Sequence, residues 1–145
     1  SMKAIDGITT FAGEDAFDEF LGEADILICL LPRTPETEGL LNSETLSHLP
    51  KGAAIINAAR GAMINEADLL RAIDTGHLRG AFLDVAVTEP LPESHPFWDH
   101  PKIRITPHIA AATRVEESAD QIAQNIDRMA RGETPTGLVD RQSGY

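Results

Sequence analysis

Short apolar runs alternate with amphipathic segments along most of this chain. Continuous apolar runs are typical of strands buried in a sheet, and here they lie at residues 25–31, 53–56, 80–85 and 103–105. Apolar residues at helical spacing predict helices in the stretches 14–21, 42–49, 65–76 and 113–132. Strands that alternate with helices through short turns predict an α/β fold built on a doubly wound parallel sheet.

Several polar residues mark the expected helix ends. Asn42 and Asn65 stand where an N-cap side chain accepts backbone N–H groups, and Gly76 is placed to end the helix that Asn65 begins. The spacing of Thr113 and Glu116 is that of a capping box, which predicts the start of the last helix.

The same pattern predicts which side chains face the core. The run 25–31 is apolar after its first residue, so we expect a strand buried on both faces, with the single cysteine, Cys29, as a core thiol. Three predicted helices carry apolar faces. The faces are formed by Phe17, Phe20 and Leu21 in the first, by Ala67, Leu70 and Ile73 in another, and by Val115, Ala119, Ile122, Ala123, Ile126 and Met129 in the last.

The motif that usually gives such a sheet its ligand does not occur in the sequence. Doubly wound sheets commonly bind dinucleotides at a G-x-G-x-x-G turn after the first strand, and the 145 residues contain no such turn. The sequence therefore predicts either a fold with another ligand or a partial, Rossmann-like sheet that lacks its first βαβ unit.

Charge and composition limit the kinds of molecule that this protein is expected to bind. The formal net charge is −11 and no basic cluster occurs, which argues against nucleic acid and anionic membranes. One cysteine provides neither a disulfide framework nor a zinc site. With no signal peptide and no apolar run near the length of a membrane span, we expect a soluble, cytoplasmic protein.

Three reactive side chains come after three different predicted strands. Arg60, Glu89 and His108 each lie shortly beyond a strand, and the carboxyl ends of parallel strands open on one edge of the sheet, where ligands bind. Histidine can donate a proton near neutrality, a carboxylate on its other ring nitrogen fixes the tautomer, and arginine grips carboxylates with a planar fork. Together they predict a carbonyl reduction site with an anchor, a proton donor and an orienting group.

Other interpretations of these and nearby residues remain. Taken singly, Glu89 fits a solvated loop carboxylate and His108 a histidine hydrogen-bonded in a turn. A metal site formed by His95, Asp99 and His100 is a further alternative, although adjacent Asp-His in a proline-rich loop is more often surface chemistry. We therefore predict no metal.

Three segments carry a family resemblance that covers nearly the whole chain from Phe11 onward. The segments 57–61 (NAARG), 82–92 (FLDVAVTEPLP) and 106–111 (TPHIAA) closely resemble those of the D-isomer-specific 2-hydroxyacid dehydrogenases. The resemblance implies reduction of a small 2-ketoacid such as glyoxylate or hydroxypyruvate, with hydride from a nicotinamide. NADP or NAD is the implied cofactor, with NADPH favoured.

The resemblance also implies residue roles. Arg60 would bind the substrate carboxylate and carbonyl, Glu89 would pair with the histidine, and His108 would protonate the carbonyl oxygen. The implied cofactor contacts are Leu31, Pro32, Thr37, Ala58, Ala59, Arg60, Asp84 and His108.

Members of this family run to about twice this length, so the resemblance implies a partial chain. Residues 1–2 are interpreted as an expression scar, 3–131 as the C-terminal part of an NAD(P)-binding Rossmann domain, and 132–145 as a tail. We expect an exposed strand edge and exposed helix faces, negligible turnover by the chain alone, and homodimerisation through the cofactor domain. The alternative is a dehydrogenase-like module that senses dinucleotide and binds a partner without turnover.

Overall fold

The computed structural model describes residues 6–141, so the predicted expression scar at residues 1–2 lies outside the described part. The chain divides into two compact units, Ser1–His108 and Ile109–Tyr145. Among the described residues, the first unit contains a parallel sheet and three α-helices, and the second contains one helix. The helices are α1 (Phe17–Gly22), α2 (Ser43–Ser47), α3 (Glu66–Asp74) and α4 (Val115–Ala130).

The sheet consists of four parallel strands in sequential order. The strands are β1 (Ile26–Cys29), β2 (Ala53–Asn57), β3 (Leu78–Leu83) and β4 (Ile103–Ile105). Register pairs Cys29 with Asn57 and Asn57 with Leu83, so the carboxyl ends of β1, β2 and β3 lie side by side. This confirms the predicted α/β fold and places the segments after these strands on one edge of the sheet.

The core of the first unit lies on one face of this sheet. Its buried side chains include Leu27 and Cys29 of β1, Ile55 of β2, and Leu69 and Ile73 of α3. Burial removes apolar surface from water and is the main favourable contribution to folding.

The expectation that the first strand is buried on both faces is wrong. Ile26 and Ile28 are 51% and 55% exposed, and Phe82 of β3 is also exposed. Successive side chains of a strand point to opposite faces, and the core of this unit contacts only one of them. The burial therefore alternates along β1 although its sequence is continuously apolar.

Both asparagine caps of the first unit are confirmed. Asn42 Oδ1 accepts the Glu44 and Thr45 backbone N–H groups at 3.0 and 3.3 Å, and the Asn42 N–H donates to Thr45 Oγ1, completing a capping box. Asn65 Oδ1 accepts the N–H of Asp68 at 3.1 Å at the start of α3.

Two details of α3 and β3 differ from expectation. Leu69 and Ile73 are the buried residues of α3, whereas Ala67 is exposed, because the face that meets the sheet is rotated by about half a turn from that position. The third strand ends at Leu83, so Asp84 and Val85 lie in the loop beyond it.

In the second unit, α4 begins at Val115 rather than at the predicted capping box. Its N-cap is Arg114, which makes no side-chain capping bond, and Thr113 lies outside the helix. Glu116 is consequently the second helical residue, one position short of the box geometry. The predicted apolar face remains exposed, because α4 is the one helix in the described part of this unit, and the exposed side chains include Val115, Ile122, Ile126 and Met129.

The predicted C-terminal tail is described as far as residue 141 and returns to α4. Asn125 Oδ1 accepts the backbone N–H of Thr136 at 2.9 Å, and its Nδ2 donates to the Thr136 carbonyl at 3.1 Å. Gly132, with a φ of 74°, provides the left-handed residue that ends the helix.

Candidate active site

The side chain of Asn57 shapes the turn that presents Arg60. Asn57 is 1% exposed at the end of β2; its Oδ1 accepts the N–H of Ala59 at 3.1 Å, and its Nδ2 donates to the Arg60 carbonyl at 3.0 Å. The exposed Arg60 donates from Nη1 to the Ala59 carbonyl at 2.6 Å. Sequence reasoning missed this role of Asn57, although an amide directly after four apolar residues is a signal that a buried polar group must find partners.

Gly61 allows two loops to approach closely. A Cβ atom built on Gly61 would overlap the backbone of Ala86 in the loop after β3. Glycine at this position therefore lets the turn carrying Arg60 pack directly against the loop that leads to Glu89.

The loops after β3 and β4 are joined by hydrogen bonds around Asp84. Thr106 Oγ1 donates to Asp84 Oδ1 at 2.5 Å, and the His108 backbone N–H donates to the Asp84 carbonyl at 2.8 Å. His108 has a φ of 56°, in the left-handed region that residues other than glycine rarely adopt. This conformation costs free energy, and the flanking bonds hold it.

His108 and Glu89 form a close pair. Nδ1 of His108 lies 2.8 Å from Glu89 Oε2, and Glu89 Oε1 accepts the N–H of Ala86 at 2.9 Å. The hydrogen bond from His108, followed by that from Ala86, lowers the pKa of Glu89, with smaller contributions from the positive charges of His108 and Arg60. Glu89 is therefore an ionised acceptor that fixes the imidazole.

A cavity of about 660 Å³ opens beside this pair. Its volume is within the usual range for small-molecule sites. Three predicted site residues, Asp84, Glu89 and His108, line it. The others in the lining are Val85, Ala86, Pro90, Leu91, Trp98, Ile105, Thr106 and Pro107.

The remaining predicted site residues lie outside this lining, at the ends of β1 and β2. Arg60 lies just after β2, and its charge reaches Glu89 as described above. Ala58 donates its N–H to the Cys29 carbonyl at 3.3 Å, which holds the Ala58–Ala59 turn next to the end of β1. Leu31 is exposed just beyond that end.

Thr37 is committed to the structure of its own loop. Its Oγ1 donates to the Pro32 carbonyl at 2.7 Å and accepts the N–H of Thr34 at 2.8 Å. The loop after β1 therefore presents the apolar surface of Leu31 and Pro32, with the Thr37 hydroxyl used internally.

The histidines of the alternative metal site bind separate carboxylates. His95 Nε2 lies 3.3 Å from Glu66, and His100 Nε2 lies 3.2 Å from Asp74. Within residues 6–141, no group of three histidine, cysteine or acidic side chains is arranged to hold a metal ion. In the same part of the chain, every helix is too short or too polar to cross a membrane.

A parallel α/β sheet with polar and charged groups gathered at the carboxyl ends of its strands defines a ligand-binding domain of the doubly wound class. The sequence profile of the NAD binding domain of the D-isomer specific 2-hydroxyacid dehydrogenases matches residues 6–110. The chain therefore belongs to that family, as its motifs predicted.

Named relatives agree with this assignment. The chain is 53% identical over its whole length to glyoxylate/hydroxypyruvate reductase A of Serratia proteamaculans, of which it covers 46%. It is 48% identical to the reductase of the same name from Salmonella paratyphi B, again covering 46%. The chain thus spans about half the length of these curated relatives.

Solved structures match the fold closely. A D-isomer specific 2-hydroxyacid dehydrogenase from Xanthobacter autotrophicus in complex with NADPH and MES is 43% identical with a TM-score of 0.97, over 100% of this chain and 60% of that one. An NADPH-dependent glyoxylate/hydroxypyruvate reductase from Sinorhizobium meliloti in complex with NADP and sulfate is 37% identical with a TM-score of 0.94, over 100% and 47%. These matches confirm the predicted Rossmann-like fold.

Proposed function

We propose that this chain supplies the proton donor and substrate anchor of an NAD(P)H-dependent reductase that converts glyoxylate or hydroxypyruvate into the 2-hydroxyacid. The 2.8 Å contact between His108 Nδ1 and Glu89 Oε2 on the wall of the cavity carries the proposal. Because Glu89 occupies Nδ1, the other ring nitrogen, Nε2, holds the proton that passes to the carbonyl oxygen. The ionised Glu89 stabilises positive charge on the ring before transfer.

Arg60 is assigned the substrate carboxylate. Its guanidinium is exposed at the carboxyl edge of the sheet, close enough for its charge to lower the pKa of Glu89. A planar guanidinium binds a carboxylate through two parallel hydrogen bonds, which orients the ketoacid as well as holding it.

The residues at the strand ends fit a nicotinamide cofactor. Leu31 and Pro32 present apolar surface after β1, Ala58 and Ala59 give a small-residue turn after β2, and the buried carboxylate of Asp84 lies just after β3. Apolar surface with a few placed polar groups suits a flat heteroaromatic ring with an amide. When bound, NADPH or NADH supplies the hydride that reduces the carbonyl carbon.

We further propose that the protein forms a homodimer through the cofactor domain and acts in the cytoplasm.

The test is reduction of glyoxylate and hydroxypyruvate by a protein of its relatives' length that carries these 145 residues. We expect NADPH oxidation that depends on ketoacid, and a His108→Asn variant whose kcat/KM is lower by a factor of about 10² to 10⁴. The control is His48→Asn, since His48 pairs with Asp18 elsewhere in the first unit. Dinucleotide binding without turnover, or equal activity in the His108 variant, would contradict the proposal.

A further inference from the structure

Two carboxylates at opposite ends of α3 each hold a histidine. Glu66, the first residue of the helix, lies 3.3 Å from His95 Nε2, and Asp74, the last, lies 3.2 Å from His100 Nε2. In both histidines Nδ1 accepts the backbone N–H of the second residue along, at 3.3 Å and 3.2 Å. A ring nitrogen that accepts an N–H carries no proton, so Nε2 is the nitrogen able to donate to the carboxylate. For His100 this contact is a hydrogen bond to Asp74, and for His95 it is an ion-pair contact with Glu66.

Glu66 also reaches the loop that carries Glu89. While one oxygen binds His95, Glu66 Oε1 accepts the backbone N–H of Val87 at 3.0 Å. The preceding N–H, that of Ala86, donates to Glu89 at 2.9 Å. Two consecutive amides of one loop are therefore held by two different carboxylates, one beside the cavity and one on α3.

The backbone of Ala86 and Val87 is also held in place by its close contact with Gly61. The backbone of Ala86 packs against Gly61, which comes directly after Arg60 and lies five residues before Glu66. A shift of the Ala86–Val87 peptide would therefore change where Glu89 stands relative to both His108 and Arg60.

We propose that Glu66, oriented by His95, is a positioning residue for the His108–Glu89 pair. It holds the backbone N–H of Val87. The backbone N–H of Ala86, one peptide unit earlier in the same loop, holds the carboxylate of Glu89. Its effect on turnover rests on the proposed function, whereas its effect on the loop does not.

The first test measures amide hydrogen exchange and the pKa of Glu89 by NMR in the 145-residue chain. In Glu66→Ala we expect exchange at Ala86 and Val87 to rise about tenfold or more, the consequence of losing one hydrogen bond to a charged group, and the pKa of Glu89 to move upward. Glu66→Gln keeps an oxygen for Val87 and should restore slow exchange. Asp74→Ala, the matched control at the other end of α3, should change neither quantity.

Two results would overturn the proposal: unchanged exchange in Glu66→Ala, or equal changes in the Asp74 variant. If Glu66→Ala does not fold, His95→Ala replaces it, with His100→Ala as its control. Faster exchange at Ala86 and Val87 only in the His95 variant supports the proposal, and the same exchange in both contradicts it.

Kinetics separate the two proposals. In a reductase of full length, Glu66→Ala should lower kcat about tenfold and leave KM for the ketoacid nearly unchanged, because the proton donor is misplaced while Arg60 still binds. If the full-length protein reduces no ketoacid, the proposed function fails, and amide exchange still decides the role of Glu66. If it is active and the Glu66 variant keeps its kcat, the positioning role is refuted.

Discussion

His108 Nδ1 and Glu89 Oε2 lie 2.8 Å apart, although the two residues are separated by 19 positions and belong to loops that leave different strands. The contact depends on the parallel pairing of β3 with β4 and on the bonds that the backbone of Asp84 and its carboxylate make to the second loop. The fold, rather than local sequence, brings the pair together.

The pair makes the titration of Glu89 depend on His108. The hydrogen bond from His108 is the largest cause of the lowered pKa of Glu89. In His108→Gly, which keeps the left-handed backbone accessible, we expect that pKa to rise, as measured by ¹³C NMR of the carboxyl group. His100→Gly should leave it unchanged, and an unaltered Glu89 titration in the His108 variant would show that the pair does not form.

The lowered pKa of Glu89 also makes the free energy of unfolding depend on pH, in a direction that follows from the proton-binding equilibrium. Because folding lowers the pKa of Glu89, its contribution to the free energy of unfolding is complete above the ordinary value, 4.5, and disappears as the pH falls through the lowered one. Urea unfolding measured between about pH 3 and pH 6 should show this loss of stability. That interval extends about one and a half pH units on either side of the ordinary pKa of a glutamate. The His108→Gly variant should show less of it.

Substitution of Arg60 should act on substrate binding. In an active full-length protein, Arg60→Ala removes a charged, two-point hydrogen-bonding group, so we expect KM for the ketoacid to rise about 10- to 100-fold and kcat/KM to fall at least as much. Arg71→Ala is the control, because Arg71 is an exposed arginine of α3 that pairs with Asp68. Unchanged KM in the Arg60 variant would remove this residue from the site.

Asn57 should contribute to stability through the turn it holds. Asn57→Ala leaves the Ala59 N–H and the Arg60 carbonyl without their side-chain partner, which should lower the free energy of unfolding by about 1–3 kcal/mol. Asn57→Asp keeps the acceptor for Ala59 but places a carboxylate, with no donor for the Arg60 carbonyl, at a position that is 1% exposed, so we expect a loss at least as large. Urea unfolding monitored by circular dichroism measures both, and equal stability of all three proteins would contradict the assigned role.

Replacement of Gly61 by alanine, which adds only one methyl group, should lower the stability of the protein. Since a Cβ there overlaps the backbone of Ala86, Gly61→Ala must displace the loop, and we expect about 1–3 kcal/mol of destabilisation. Gly22→Ala is the matched control, because the nearest atom to its new methyl group, the His48 carbonyl oxygen, would be 4.0 Å away. Thermal unfolding of the two variants checks this, and similar midpoints would argue against the close approach.

The 145 residues alone should show negligible reductase activity. They contain no G-x-G-x-x-G turn to bind the pyrophosphate and cover 46% of the curated reductase of Serratia proteamaculans. The measurement is intact mass together with an NADPH–glyoxylate assay on the same sample. Clear ketoacid-dependent NADPH oxidation at the mass of the short chain would refute this expectation.

Sequence patterns predicted the strands, the sheet and the residues at its edge because those depend on local apolar runs and on the polar residues directly after each run. They did not predict that Ile26 and Ile28 would be exposed, since a continuous apolar run does not reveal which face a neighbour covers. Glu66 was also missed: an acidic residue in the first turn of a helix is explained by the helix dipole alone. Its contacts with Val87 and His95 arise only when distant segments meet.

The left-handed backbone of His108 limits which amino acids can occupy position 108, whatever their chemical reactivity. In a saturation library, valine and isoleucine there would fail because their branched Cβ opposes a φ of 56°, whatever their effect on proton transfer. Asparagine and glycine adopt that conformation readily and lack only the imidazole. The activity of a variant at this position therefore depends both on whether the residue accepts the left-handed backbone and on whether it can donate a proton. Only asparagine and glycine, which accept that backbone, measure the loss of the proton donor alone.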